Sequence, residues 1–251
     1  IKSDITIPNL VTKIGDSAFY NCYGAEYLVF GRNVESIGKE AFYRCTGCYG
    51  PLVLPDSVKT IGDKAFYQCH HLNYLRLGDN VEYIGHEAFY NCAGFNGLSR
   101  IPSKLTTLGN SSFEKCFNMV ADIKIPNTLY FIGDSAFSEC HKIKSLDLGT
   151  SVNETGNGSF CDCYGITQFG GLPNSLIIIG NFSFYNCHSI DNRLTIPNSV
   201  KLISSNAFED CSRLQALTFA TNSKLEEIGI KAFAYCANLS NALTIPNSVS
   251  L

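Results

Sequence analysis

The sequence predicts an α/β solenoid of about ten stacked coils, and three observations predict it. First, a phrase of the form V-x-x-I-G-x-x-A-F-x-x-C recurs ten times at a spacing of 23 to 25 residues. Its Phe residues are Phe19, Phe42, Phe66, Phe89, Phe113, Phe137, Phe160, Phe184, Phe208 and Phe233. A fixed period in this range marks a stack of similar coils. Second, short segments such as Leu75-Arg76-Leu77 alternate apolar and polar residues, the period of a strand with one buried face. Third, a Cys follows each Phe by three residues, from Cys22 to Cys236, so one side of every coil repeats the same small apolar group.

Each coil divides into three elements. A short strand runs up to a corner, as in Leu194-Thr195-Ile196-Pro197. The V-x-x-I-G segment follows, with Val58, Ile61 and Gly62 as an example. The A-F-x-x-C segment closes the coil and is expected to form a short helical or 3-10 turn. Asp16, Asp63, Asn110, Asp134, Asn157, Asn181 and Ser205 lie three residues before the Phe, where they are expected to cap the free N–H groups of that turn.

The corners are of two kinds. Pro stands at 8, 55, 102, 126, 173, 197 and 246; Gly31, Gly78, Gly149 and Ala220 take the other places. The count from Cys to corner is ten residues for Pro and nine for Gly or Ala, without exception. The extra residue is expected just before the strand. Pro is acceptable where a ladder ends, because it gives up a donor there. The coil over 152–173 departs from the pattern. Thr155 replaces Ile, and Gly170 is expected in an inward Leu position, so this coil should be poor in core mass and locally weak.

Bulk properties exclude several roles. The net charge is −3 with 16% charged residues, too balanced for a nucleic-acid footprint. No apolar run approaches the roughly 18 residues of a membrane span. The chain opens within one repeat and stops within another, and is read as a single solenoid domain over 1–251, a piece of a longer array. Five N-x-[ST] sequons, at Asn110, Asn153, Asn157, Asn181 and Asn238, matter only in a eukaryotic secretory setting.

Ten of the twelve Cys form the inward column, where a free thiol packs as a small hydrophobe. Cys48 takes a core Leu or Ile place, and Cys161 takes the place of Tyr20, Tyr43, Tyr67, Tyr90 and Tyr185, where it is expected to be exposed. Cys161-x-Cys163 is too short for a zinc hook, and Cys45-x-x-Cys48 lacks a second pair, so no metal or other cofactor is expected. His70, His141 and His188 follow motif Cys residues but should point away from them, so no catalytic residue is assigned and an enzyme is not expected.

The repeated I-P-N-S-V (Ile196 to Val200), I-G-x-x-A-F-x-x-C (Ile61 to Cys69) and T-F-A-x-N-S-K-L-x-x-I-G (Thr218 to Gly229) resemble the BspA-like leucine-rich repeat family over essentially the whole chain. The resemblance implies a right-handed curved solenoid with a parallel sheet on its concave side. It also implies a secreted or cell-surface protein, and an association with adhesion to host matrix proteins and to other cells. It carries no shared catalytic residues.

Candidate contacts lie on the strand face expected to be concave. Two residues before the corners run Arg76, Arg100 and Lys124, a cationic ladder of roughly 10 Å. Tyr27, Tyr74 and Phe169 lie four before their corners. Tyr27, Tyr74, Arg76, Arg100 and Lys124 are therefore the expected ligand-binding residues, toward a host or cell-surface protein or an anionic glycan. The alternative is a solvated face on a structural spacer. The Tyr20, Tyr43, Tyr67 and Tyr90 column reads more simply as stacked cover for the turn than as a contact strip.

Overall fold

The computed structural model describes residues 3–190 and 193–250. The repeat closes into a parallel β-solenoid of about ten turns, and every pairing between its strands is parallel. Two strand faces run along it. The V-x-x-I-G segments supply two-residue strands whose second residue turns inward. Lys13–Ile14, Ser36–Ile37, Thr60–Ile61, Tyr83–Ile84 and Thr107–Leu108 make one five-stranded sheet. Phe131–Ile132, Glu154–Thr155, Ile178–Ile179, Leu202–Ile203 and Glu227–Ile228 make the second.

The other face carries longer strands, paired in short separate ladders. Four ladders each join a Pro coil to the Gly or Ala coil after it: Ser3–Thr6 with Ala25–Val29, Gly50–Val53 with Leu72–Arg76, Ala121–Lys124 with Ile143–Asp147, and Arg193–Ile196 with Ala216–Phe219. The first three of these ladders each shift register once. Pairing is weaker from a Gly coil to the next Pro coil. What remains there is a single bridge, Leu75 with Leu98, or the two-residue pairing of Gln168–Phe169 with Ser145 and Leu146. At Gly78 the close approach is local: a Cβ there would stand 2.1 Å from the Pro55 carbonyl oxygen, so this corner needs a bare α-carbon.

The core is a set of columns, each residue type lying over itself. The motif Phe rings stack at 5.1 to 5.5 Å from Phe19 through Phe233, all within 13° of parallel. Offset stacking adds to the apolar area that these rings remove from water. The Val, Ile, Ala and Cys columns pack beside them. Cys48 is fully buried in the Leu place that the sequence assigns it.

The expected helical turns do not form: no helix occurs among the described residues. In A-F-x-x-C, alternate N–H groups point along the stack. Ser17, Phe19 and Asn21 donate to the carbonyls of Lys39, Ala41 and Tyr43 in the next coil, while Ala18, Tyr20 and Cys22 donate three residues back within their own. This pattern needs a left-handed residue on either side of the Phe, such as Ser17 (φ 54°) and Asn21 (φ 57°), or Glu87 (φ 53°) and Asn91 (φ 52°). An α-helix would satisfy the same groups four residues away. Pairing between coils satisfies them across the stack instead, so the segment is a row of tight turns and the α/β description is corrected to an all-β solenoid.

The expected caps are likewise corrected. Their side chains accept N–H groups, but from the next coil. Asp16 Oδ1 takes the Lys39 N–H at 2.9 Å, and Asp63 Oδ1 takes that of His86 at 2.8 Å. The series continues without a gap through His86, Asn110, Asp134, Asn157 and Asn181 to Ser205.

The 152–173 coil also differs from expectation. Phe169, not Gly170, stands opposite Leu146, and its ring packs on the core 5.6 Å from Phe184. Buried Thr155 is not unpaired: its hydroxyl meets that of Ser183 at 2.7 Å.

Candidate binding face

All five expected contact residues stand on the long-strand face. Tyr27 lies in the strand Ala25–Val29, and its ring meets Tyr49 edge-on at 4.5 Å. Tyr49 donates to Glu26 Oε2 at 3.4 Å, and its hydroxyl is pushed up to about 12, first by the hydrogen bond with Tyr27. Tyr74, in Leu72–Arg76, lies over the next coil: a Cβ on Gly97 would come within 2.9 Å of its ring. A glycine just before the Leu98 bridge thus makes space for an aromatic ring. Both tyrosines remain about 40% exposed, 41% and 39% respectively.

The cations are more constrained than the sequence suggests. Arg76 donates from Nη1 to the Leu54 carbonyl at 3.0 Å and from Nη2 to Asp56 Oδ1 at 2.8 Å. Its guanidinium lowers the Asp56 carboxyl below the usual range, helped by the Asp79 N–H. Arg100 pairs with Asp79. Lys124 stands opposite Asp147 in the ladder and has no side-chain partner among the described residues. Arg76 and Arg100 line one shallow depression with Asp79; Arg100 and Lys124 line the next with Asp122. Two of the three cations are therefore anchored in ion pairs, and Lys124 alone stands bare.

Sequence reasoning missed Asp56 and Asp79, which follow the corners Pro55 and Gly78. The signal was present: Asn9 and Asn127 occupy the same place, where their side chains take the N–H of Arg32 and of Thr150 from the next coil. Val29 and Val53 stand two residues before Gly31 and Pro55, in the same outward row as the cations. They are 49% and 46% exposed beside Tyr27 and form an apolar end to the row.

Other chemistry is tied up in structure. All twelve Cys are free. Motif thiols donate to the Phe carbonyl one coil back, as Cys69 does to Phe42 at 3.2 Å. Burial pushes these thiols up, Cys116 to about 12. Cys161 is half-buried rather than exposed, and burial with the neighbouring Asp162 raises it to about 12. His70 binds the Asn91 carbonyl at 2.9 Å, and His188 binds Asn186 Oδ1 at 2.7 Å. His141 stacks on Tyr164 and meets Phe117 at a tilt, and burial lowers its basicity. The Tyr20, Tyr43, Tyr67 and Tyr90 rings stack at 4.7 to 4.9 Å and cover the turns. Among the described residues no group of three or more His, Cys, Asp or Glu is placed to hold a metal, and no helix is long and apolar enough to cross a membrane.

The BspA type leucine rich repeat region, in six copies, matches residues 2–119, 46–167 and 168–251. The chain belongs to this family. No curated protein sequence matches it. A leucine-rich repeat protein from Bacteroides ovatus superposes with a TM-score of 0.72 at 24% identity, covering 99% of this chain and 74% of the other. One from Eubacterium ventriosum gives 0.50 at 16% identity, covering 99% and 87%. These likenesses establish the fold. Leucine-rich repeat solenoids are generally non-enzymatic, in keeping with thiols and imidazoles that are engaged within the stack.

Proposed function

We propose that this BspA-type solenoid is a secreted or cell-surface binding module that presents its long-strand face to a host or cell-surface protein or anionic glycan. Membership of the family supports surface display. The observation that carries the reading is the row itself. Tyr27 and Tyr74 are exposed and rigidly propped, and Arg76 and Arg100 are held in fixed geometry beside them by Asp56 and Asp79. Preorganised aromatic rings and guanidinium groups are the residue types that dominate protein interfaces. An Arg fixed on one side by Asp keeps further N–H donors for a ligand carboxylate or sulfate.

A second reading has its own observation. The same Asp partners cancel much of the positive charge, as they would on a structural spacer with no ligand of its own. Binding of the purified chain to arrayed matrix proteins and to immobilised heparin separates the two. The Arg76→Ala, Arg100→Ala double variant is expected to bind at least about ten-fold more weakly near 0.15 M salt, given about 1.5–3 kcal/mol for a hydrogen bond to a charged group. Equal binding by parent and variant would put the binding surface elsewhere on the solenoid; no binding by either favours the spacer.

A further inference from the structure

In the coil over 152–173 the repeat breaks its own rules, and the breaks compensate one another. Thr155 in the Ile column is satisfied by Ser183, while Ser159 lies 3.4 Å from Ser183 and Gly180 N–H donates to Thr155. Phe169 moves into the inward place. Gly170 and Gly171 then carry no side chain on the face, and Gly171 takes φ +91°, a conformation that favours glycine. Among the described residues no ladder joins Gln168–Phe169 to Arg193–Ile196. The result is an open depression of about 500 Å³ on the long-strand face, lined by Ser145, Asp147, Thr167, Gln168, Phe169 and Gly170. Sequences violate their own structural rules chiefly at functional sites, and this violation lies at a wider depression than those beside Arg100.

We propose that this depression binds a neutral saccharide, a site separate from the Tyr27–Lys124 row. The lining matches one sugar ring. A pyranose has an apolar C–H face and a rim of hydroxyls, each both donor and acceptor. The bare Gly170 backbone and the Phe169 ring offer an apolar floor. Gln168 supplies an amide with both donor and acceptor ends and has no partner among the described residues. Ser145 gives its proton to Asp122 at 2.7 Å, which leaves its oxygen to accept. Asp147 takes the Gly149 N–H on one oxygen at 2.9 Å and keeps the other. No lining residue is a cation, and the carboxylates Asp147 and Asp122 repel an anionic sugar. Lys124, opposite Asp147 in the ladder, offsets the attraction for a cationic one.

The test is a glycan array with neutral, sialylated and sulfated arms, followed by saturation-transfer NMR with neutral monosaccharides on the order of 10 mM, because shallow sites hold single sugars weakly. Two variants report on the site. Gln168→Ala removes the free amide from an exposed position. Gly170→Ser fills the floor; its Cβ would lie 3.3 Å from the Leu146 carbonyl, a small adjustment. The expected result is signal on neutral glycans that falls at least five-fold in each variant and is unchanged in Arg76→Ala, Arg100→Ala. Thermal melting confirms that the variants fold, and Gln168→Ala decides alone if Gly170→Ser does not. Signal confined to the charged arms, no signal on neutral glycans, or neutral binding that survives Gln168→Ala overturns the proposal without touching the first site.

Discussion

Cys92 donates from Sγ to the carbonyl oxygen of Phe66, one coil earlier, at 3.1 Å. The same carbonyl receives the N–H of Cys69 at 3.2 Å, so two coils meet on one oxygen. The bond repeats along the stack, from Cys45 with Phe19 to Cys236 with Phe208. The Cys column is thus more than filler: each thiol ties its coil to the one before, and it does so only while it carries its proton.

Alkaline instability follows. Burial raises the thiols of Cys69, Cys92, Cys140, Cys163, Cys187 and Cys211 well above their ordinary value, and Cys116 to about 12. Above about pH 8.5 the unfolded chain loses these protons while the folded chain keeps them. Stability is therefore full below that pH and falls as pH rises toward the folded values. Each buried thiol withdraws about 1.4 kcal/mol per pH unit in this window. Urea midpoints at pH 7, 9 and 10 should drop steeply in the last interval; a flat profile would mean the thiols are not buried in common.

The same column sets the redox state. Denaturation without reductant, followed by thiol titration, should recover most of the twelve Cys as free thiol. Recovery of two or fewer would show a disulfide framework.

The Phe column carries most of the core. Phe113 stacks between Phe89 at 5.1 Å and Phe137 at 5.3 Å and is fully buried. Phe113→Ala should cost about 3–5 kcal/mol by denaturant titration. In a solenoid the loss falls on the neighbouring coils, so hydrogen exchange should accelerate in the coils that carry Phe89 and Phe137 before the ends respond. Uniform acceleration along the chain would argue against stacking as the main term.

These columns were legible in the sequence because the period repeats ten times and each inward position keeps its type. The turn conformation was not. Phe66 and Cys69 three apart fit one helical turn, and they fit a pair of tight turns equally well. Asp63 was read as a cap because it accepts an N–H; sequence shows the acceptor but not that its donor, His86, lies 23 residues on. The outward Arg76 and Arg100 followed from strand alternation. Their partners Asp56 and Asp79 sit past the corners, where alternation stops, so the pairing appeared only in three dimensions. Gly170 was misplaced by one position because the Pro coil's extra residue falls there after the paired strand, between Phe169 and Pro173.

Left-handed turn positions offer a stabilising substitution. Phe182 holds φ 54° with its ring 44% exposed, and a bulky residue pays a steric penalty there. Asn tolerates this region better. Phe182→Asn should stabilise by up to about 1 kcal/mol and raise Tm by a few degrees. A lower Tm would show that the Phe182 contact with Tyr185, at 5.7 Å, outweighs the strain.

The ion pairs on the binding face give the sharpest separation of a binding module from a spacer. Asp56 and Asp79 hold Arg76 and Arg100 and also mask them. These pairs are partly exposed, so each is worth only about 0–1 kcal/mol to folding. Asp56→Asn with Asp79→Asn should therefore leave Tm nearly unchanged. The amides still accept from the guanidinium groups but remove two negative charges from the face. If an acidic ligand lies along Arg76, Arg100 and Lys124, its affinity should rise several-fold, and more at low salt, since exposed charges are screened at about 8 Å near 0.15 M. Asp56 also accepts the Asp79 N–H at 3.2 Å, a bond that Asn can keep. The lowered carboxyl of Asp56 adds a pH signature. Its contribution to folding is present above the ordinary carboxylate range and is lost as pH falls through its depressed value, so acid should free the Arg76 guanidinium and mimic the Asn variant. Heparin retention measured for parent and variant at pH 7 and at low pH reads both effects. Retention that is the same for both proteins at both pH values would mean the row meets no anion, and the face would then serve only to keep the stack in solution.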